Sequence, residues 1–277
     1  MKFAFSTNAF RNFSFSSAAR MISDAGYSGI EIMCDTPHAF PDQLSGIDIE
    51  NIKEVLKRNN LEISNLNAFM MCAVKDFHHP SWIEKDEAFR QIRIRYTKDC
   101  IDLAARLGAK TISTEPGGPL DGMPPNCAIQ MFAEGLEQVL PHAREKGIEV
   151  LIEPEPDLLI QTSTEYLDFL EEFNHPNLGL NFDIGHFFCV GEDPVETIIK
   201  LKDHTKHYHL EDIPKNREHR HIMPGEGGID IPGVVDRIEK TGYKGFITVE
   251  LYPYLDEPGK AAADARAYIK RTCGYDR

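Results

Sequence analysis

Eight short apolar, β-branched runs alternate with amphipathic stretches from one end of the sequence to the other. The runs are KFAFSTN (2–8), GIEIMCD (29–35), EISNLNAF (62–69), KTISTEP (110–116), EVLIEPE (149–155), LGLNFDI (178–184), KHYHLED (206–212) and FITVELY (246–252). Strict strand–helix alternation predicts parallel strands, because each parallel pair needs a long crossover and a helix supplies it. Eight such units in 277 residues close most simply into a (β/α)8 barrel. An open doubly wound sheet is the rival. It wants a G-x-G-x-x-G turn after the first strand, and STNAFRNFS stands there instead. Asp193 before Pro194 and Asp230 two before Pro232 read as helix N-caps; Gly26, Gly108, Gly147 and Gly242 read as helix ends. No linker, repeat or low-complexity run interrupts the pattern, so residues 1–277 are expected to form one α/β domain.

Composition then removes several function classes. The net charge is −14, and no Lys/Arg stripe is present to neutralise phosphates, so nucleic acid and anionic membrane surfaces are excluded as partners. Small neutral molecules and cations stay, and a homo-oligomer is left open. No window reaches the roughly 18 apolar residues of a membrane span, and MKFAFSTNAF lacks the long apolar core of a signal peptide. Six cysteines (Cys34, Cys72, Cys100, Cys127, Cys189, Cys273) form no C-x-x-C, which fits reduced thiols in a cytoplasm.

The polar residues fall at the C-terminal ends of strands, where barrels of this kind carry their chemistry. Strand 5 ends at Glu153, strand 6 at Asp183 with His186 beyond it, strand 7 carries His209 and strand 8 ends at Glu250. One carboxylate at a strand end is usually a helix cap. Four groups at equivalent depth on consecutive strands suggest a ring around one divalent cation, since buried like charges repel unless something positive sits among them. Three oxygen donors and one nitrogen suit Mn²⁺ first, with Mg²⁺, Co²⁺ or Zn²⁺ as alternatives. His186, three residues after Asp183, is expected at the substrate or supporting a ligand; His207 alternates with His209 and shares its face. The connection 70–88 holds Trp82, His78 and His79 and reads either as an active-site cover or as a surface loop pinned by an aromatic. PGEGGID (224–230) is the one candidate phosphate turn, with Lys215, Arg217 and Arg220 nearby, but Glu226 and Asp230 bracket its glycines and favour a plain turn. Phe10, Phe13, Phe69, Trp82 and Phe187 read as an apolar wall for a sugar ring or as ordinary core.

Glu after strand 5, D-x-x-H after strand 6, H-x-H with a following acid on strand 7, and VEL on strand 8 together resemble the xylose-isomerase-like TIM-barrel superfamily. HYHLED, PGEGGID and GYKGFITVEL make the most specific block, and the likeness runs from FAFSTNAF to VELYPY. It is closest to the sugar and sugar-phosphate isomerase/epimerase branch, with inosose dehydratase-like proteins as relatives. The resemblance implies Glu153, Asp183, His209 and Glu250 as metal ligands, Glu153 and Glu250 as the proton-transfer pair, and His186 on a substrate hydroxyl or carbonyl. Where ketose 3-epimerases carry a second Glu and an Arg, this chain has Leu159 and Lys215, with Arg217 near enough to substitute. Glu155, His221 and Trp82 join Arg217 as expected substrate contacts, and the HRH of His219 and His221 resembles a region where endonuclease IV adds zinc ligands. A cation holding adjacent oxygens of a hydroxy-carbonyl compound acidifies the C–H between them and stabilises an enediolate. Returning the proton gives isomerisation or epimerisation of a small keto-sugar or polyol; expelling a β-leaving group instead gives a lyase or dehydratase.

Overall fold

A computed structural model describes residues 1–70 and 76–275. All eight apolar runs are strands: β1 (Lys2–Ser6), β2 (Gly29–Met33), β3 (Glu62–Asn67), β4 (Thr111–Thr114), β5 (Glu149–Ile152), β6 (Leu178–Asp183), β7 (Thr205–Leu210) and β8 (Phe246–Val249). They pair in parallel in chain order, and β8 returns to β1, with Phe5 opposite Val249, to close the barrel. The runs extend one to three residues past the strands at their C-terminal ends. Those residues leave the ladder to form the mouth, so Glu153, Glu155 and Glu250 lie just beyond it.

Nine helices are seen among the described residues. They are α1 (Phe15–Asp24), α2 (Gly46–Arg58), α3 (Glu87–Leu107), α4 (Pro125–Lys146), α5 (Ser163–Glu172), α6 (Ile184–Cys189), α7 (Pro194–Leu201), α8 (Ile231–Lys240) and α9 (Pro258–Cys273). Asp193 and Asp230 cap α7 and α8, accepting from Val195 N at 2.9 Å and Gly233 N at 3.2 Å. Gly108 and Gly147 end α3 and α4 with φ of +82° and +69°, the left-handed turn that a Cβ disfavours. The short α6 has too few residues to show a helical period in the sequence.

Strand alternation sends Ile30, Ile32, Leu66, Val150, Phe182 and Tyr208 into the shell between strands and helices, all of them buried. The barrel axis is largely polar, with Leu151 and Ala4 among the few apolar side chains facing it, where most such barrels hold branched apolar ones. His207 Nε2 meets Thr248 Oγ1 at 2.8 Å, and Thr248 Oγ1 meets Ser64 Oγ at 3.0 Å. Asn65 joins Thr111 (2.8 Å), Ser113 (2.9 Å) and Glu31 (2.9 Å). A register shift lets both Ser64 and Asn65 reach the axis: Ile30 pairs with Ile63, but Glu31 pairs with Asn65.

Arg93 on α3 ties the mouth together from behind. It is fully buried and donates to the carbonyls of Pro80 (2.9 Å), Ala68 (3.2 Å) and Phe69 (3.0 Å), with Glu115 Oε1 3.3 Å from Nη2. Burial raises the Glu115 carboxyl to about 7, against the pull of Arg93. Removing one member of a buried pair costs about 3–5 kcal/mol. Arg93→Met is therefore expected to lower the urea midpoint by that equivalent; an unchanged midpoint would show that the anchor is dispensable.

Candidate metal centre

The pairing register builds the site. Asp183 on β6 sits opposite His209 on β7. Glu153 and Glu250 follow the last residues of β5 and β8 at the same level. Glu153, Asp183, His209 and Glu250 are all buried, and each offers one donor atom lying within 4.8 Å of the others. His209 Nδ1 is 3.0 Å from Glu153 Oε1 and 3.6 Å from both Asp183 Oδ2 and Glu250 Oε2.

Each carboxylate divides its oxygens in the same way. Glu153 Oε2 accepts from the Asn181 amide at 2.7 Å. Glu250 Oε1 accepts from Asn8 at 2.6 Å and Asn67 at 3.4 Å. Asp183 Oδ1 accepts from His186 N at 2.7 Å, which makes it the N-cap of α6, while its Oδ2 is buried without a partner. One oxygen is anchored and the other converges on His209. That explains why a buried strand ends in an Asp and a His three apart: the Asp starts the helix that carries the His. An orphaned carboxylate oxygen among three further donors fits a divalent cation, because an unpaired buried charge is otherwise costly.

Charge in the cluster is shared unevenly. Burial lifts the carboxyls of Glu153 and Glu250 above the usual range, though His209 pulls against it. Burial would also lift Asp183, but His186, His209 and His221 outweigh it and hold it well below that range. Burial lowers His209, and Glu250, Glu31 and Glu153 more than reverse this, holding its ring well above the usual histidine range.

Above the ring lies a cavity of about 350 Å³. Glu153, Glu155, His186, His221, Glu250, Phe77 and Tyr252 are among its lining residues. No Lys or Arg is among the described lining residues. His186 Nδ1 donates to the Pro154 carbonyl at 2.9 Å, and His221 Nδ1 to the Glu250 carbonyl at 3.1 Å. Burial drops the two rings to about 3 and about 4, so both are neutral acceptors at Nε2. Burial also raises the Glu155 carboxyl well above the usual range, helped by Glu153. His186, His219 and His221 bring ligand atoms within 4.8 Å of one another and could hold a second ion.

Two expected substrate contacts lie elsewhere. Trp82 is fully buried, donates Nε1–H to Thr114 Oγ1 at 3.0 Å and packs on Phe132 beneath α4, outside the cavity lining. Arg217 takes a left-handed φ of +63°, stacks 4.4 Å over the Phe188 ring and donates to the Phe188 carbonyl at 2.6 Å. Of the aromatics, Phe69 lines the cavity, while Phe10 and Phe187 are core and Phe13 packs against it. The connection 70–88 brings Phe77 and His78 to the cavity, whereas His79 faces Glu84; residues 71–75, and with them Cys72, lie outside the described residues. The other five cysteines are free.

PGEGGID does not cradle an anion from outside. Asp212 fills the turn from within, accepting from Gly225 N (2.9 Å), Gly227 N (2.8 Å), Ile229 N (3.1 Å) and Ile213 N (2.9 Å). A Cβ on Gly227 would stand 2.1 Å from the Ile213 carbonyl oxygen. Hydrogen bonds to a charged group contribute about 1.5–3 kcal/mol. Asp212→Ala should therefore speed amide exchange at Gly225, Gly227 and Ile229 at least tenfold; unchanged protection there would mean that the turn holds itself.

Sequence reasoning overlooked Glu31, Asn8, Asn67 and Asn181. Glu31 is fully buried, with Oε2 2.8 Å from His209 Nε2; burial would raise its carboxyl, but His209 brings it down to about 2. Its signal was a lone carboxylate inside GIEIM.

Comparison with known proteins agrees with this architecture. The chain is 27% identical to inosose dehydratase of Clostridium perfringens, over 89% of this chain and 86% of that one. It is 28% identical to fructoselysine 3-epimerase of Shigella flexneri, over 90% and 89%. The crystal structure of the IOLI protein with a bound zinc atom superposes with a TM-score of 0.82 at 18% identity, covering both chains completely. These relatives include both an epimerase and a dehydratase. Among the described residues no helix is long and apolar enough to cross a membrane. The model of the xylose isomerase-like TIM barrel family matches residues 19–272, and the chain belongs to that family.

Proposed function

We propose that this protein is a divalent-cation-dependent isomerase or epimerase of a small, uncharged keto-sugar or polyol, with Glu153 and Glu250 as its acid/base pair. One observation carries the reading: three carboxylates each hold one oxygen on a protein donor and turn the other toward His209 Nδ1, at the floor of a cavity. Glu153, Asp183, His209 and Glu250 would hold the cation, with Mn²⁺ preferred for an oxygen-rich donor set. When bound, it supplies Lewis-acid stabilisation of the enediolate's negative charge. Glu153 and Glu250 come from strands 5 and 8, so they flank the substrate and can take a proton on one face and return one on the other. The Asn181 and Asn8 amides fix the two carboxylates so that the oxygen moving the proton keeps its direction. His186 and His221 accept substrate hydroxyls at Nε2. The lack of Lys and Arg among the described lining residues, and Asp212 in the turn where such barrels grip phosphate, favour an unphosphorylated substrate. Five free thiols suit a cytoplasmic protein.

Glu155 supports a second reading. It lines the cavity and burial favours its protonated form, so it could give a proton to a departing hydroxyl, which would make the enzyme a dehydratase. Incubating Mn²⁺-loaded protein with free ketoses and inososes in D₂O, followed by NMR, separates the two. Deuterium entering the carbon next to the carbonyl with no loss of water supports the isomerase. Loss of water supports the dehydratase. Neither, across the panel, removes the proposal.

A further inference from the structure

Glu31 is a buried carboxylate that does not line the cavity. It lies behind His209, with Oε2 2.8 Å from the ring's Nε2. Its position is itself held. The same oxygen accepts from Asn65 Nδ2 at 2.9 Å, and Asn65 is pinned by Ser113 (2.9 Å) and Thr111 (2.8 Å). A carboxylate oxygen at this distance accepts a hydrogen from Nε2; Glu153 Oε1, 3.0 Å from Nδ1, would hold a hydrogen there in the same way until a cation takes its place. In the neutral ring, the Nδ1 lone pair then points at Glu153, Asp183 and Glu250. Asn181 cannot do this job. Its Oδ1 accepts from His207 Nδ1 at 2.8 Å, so it turns only its NH₂ toward His209.

We propose that Glu31 is the positioning residue of the cation site: it locks His209 as the Nε2–H tautomer and thereby presents Nδ1 as the nitrogen ligand. This rests on the cation reading above. Without Glu31 the ring can carry its proton on Nδ1, facing Glu153, where it blocks coordination. Partners behind a ligating histidine typically change metal affinity by about 10–100-fold.

The test uses the full chain with Zn²⁺, which is diamagnetic, and Mn²⁺. In zinc-loaded, ¹⁵N-histidine-labelled protein, long-range ¹H–¹⁵N correlation should show His209 protonated at Nε2 and zinc-bound at Nδ1. Chelator competition should show Glu31→Leu, which leaves no acceptor behind Nε2, weakening both ions by about 10–100-fold, and His209→Asn should remove binding. The proposal is overturned if the spectrum shows zinc on Nε2 or a proton on Nδ1. It is also overturned if Glu31→Leu binds within twofold of the parent while His209→Asn does not bind. If the parent takes up neither ion, the cation reading fails first and this role fails with it. If Glu31→Leu does not fold, the spectrum of the parent decides alone.

Discussion

Glu250→Gln should lower kcat by at least about 10³-fold, within the usual range for losing a positioned acid or base, while the ion-free protein keeps its fold. The change is nearly isosteric. Oε1 can still accept from Asn8 and Asn67, and only the converging oxygen becomes an NH₂. Burial raises the Glu250 carboxyl well above the usual range, and a neutral Gln carries no such desolvation cost. A carboxyl whose folded-state value is raised opposes folding at any pH above its unfolded value. Gln removes that penalty, so the ion-free melting temperature should stay level or rise. Glu153→Gln should behave alike, with Asn181 keeping its acceptor. The readouts are turnover and a thermal melt with chelator present. Near-parental turnover in both variants would end the acid/base assignment; collapse of both folds would instead mark the two carboxyls as structural.

Loading the site with Mn²⁺ or Zn²⁺ should stabilise the protein, and more strongly as the pH rises. At about 100 times Kd, a ligand that binds only the native state adds about 2.7 kcal/mol. For a chain of this size that is roughly 5–10 °C in melting temperature. The pH sense follows from where the protons sit. His209, Glu153 and Glu250 are all shifted up, so each binds its proton more tightly in the ion-free native state than in the unfolded chain, and a cation competes with those protons. Each proton released makes the apparent affinity rise about tenfold per pH unit over the range in which that group titrates. Without an ion the raised His209 stabilises the fold below its unfolded value, and that contribution fades as the pH rises through the folded one. The raised carboxyls act in the same direction, because the unfolded chain loses those protons first. Chelation should therefore depress the melting temperature more at pH 8 than at pH 6. Affinity that is flat or falling with pH would show that these groups do not hold the ion.

The barrel was legible because alternation of period two and period 3.6 leaves few closed solutions for eight units. The ring was legible for a related reason. Parallel strands in sequential order place their C-terminal ends at one level, so a polar residue ending each of four neighbouring strands meets the others. The rest depended on reach across the barrel. Glu31 faces His209 from a strand that is not its neighbour, and no spacing along the chain encodes that distance. Asn67 on β3 reaches Glu250 in the same way, whereas Asn8 reaches it from the turn after the neighbouring β1. Trp82 misled because an aromatic in a long connection reads as rim, while its N–H had a buried hydroxyl waiting at Thr114. Arg217 misled because a left-handed backbone turns it onto Phe188, which sequence position alone does not show.

The hydrogen-bonded axis of this barrel also limits how it can drift. Along it Asn65 answers to Thr111, Ser113 and Glu31 at once, and His207 to Asn181 and Thr248. Replacing any one of them by an aliphatic side chain strands its partners in a dry interior, whereas an aliphatic core forgives swaps of similar size. Descendants of this chain should therefore exchange interior residues in concerted sets, and one that abandons the ring around His209 would be free to fill the whole column with valine and leucine.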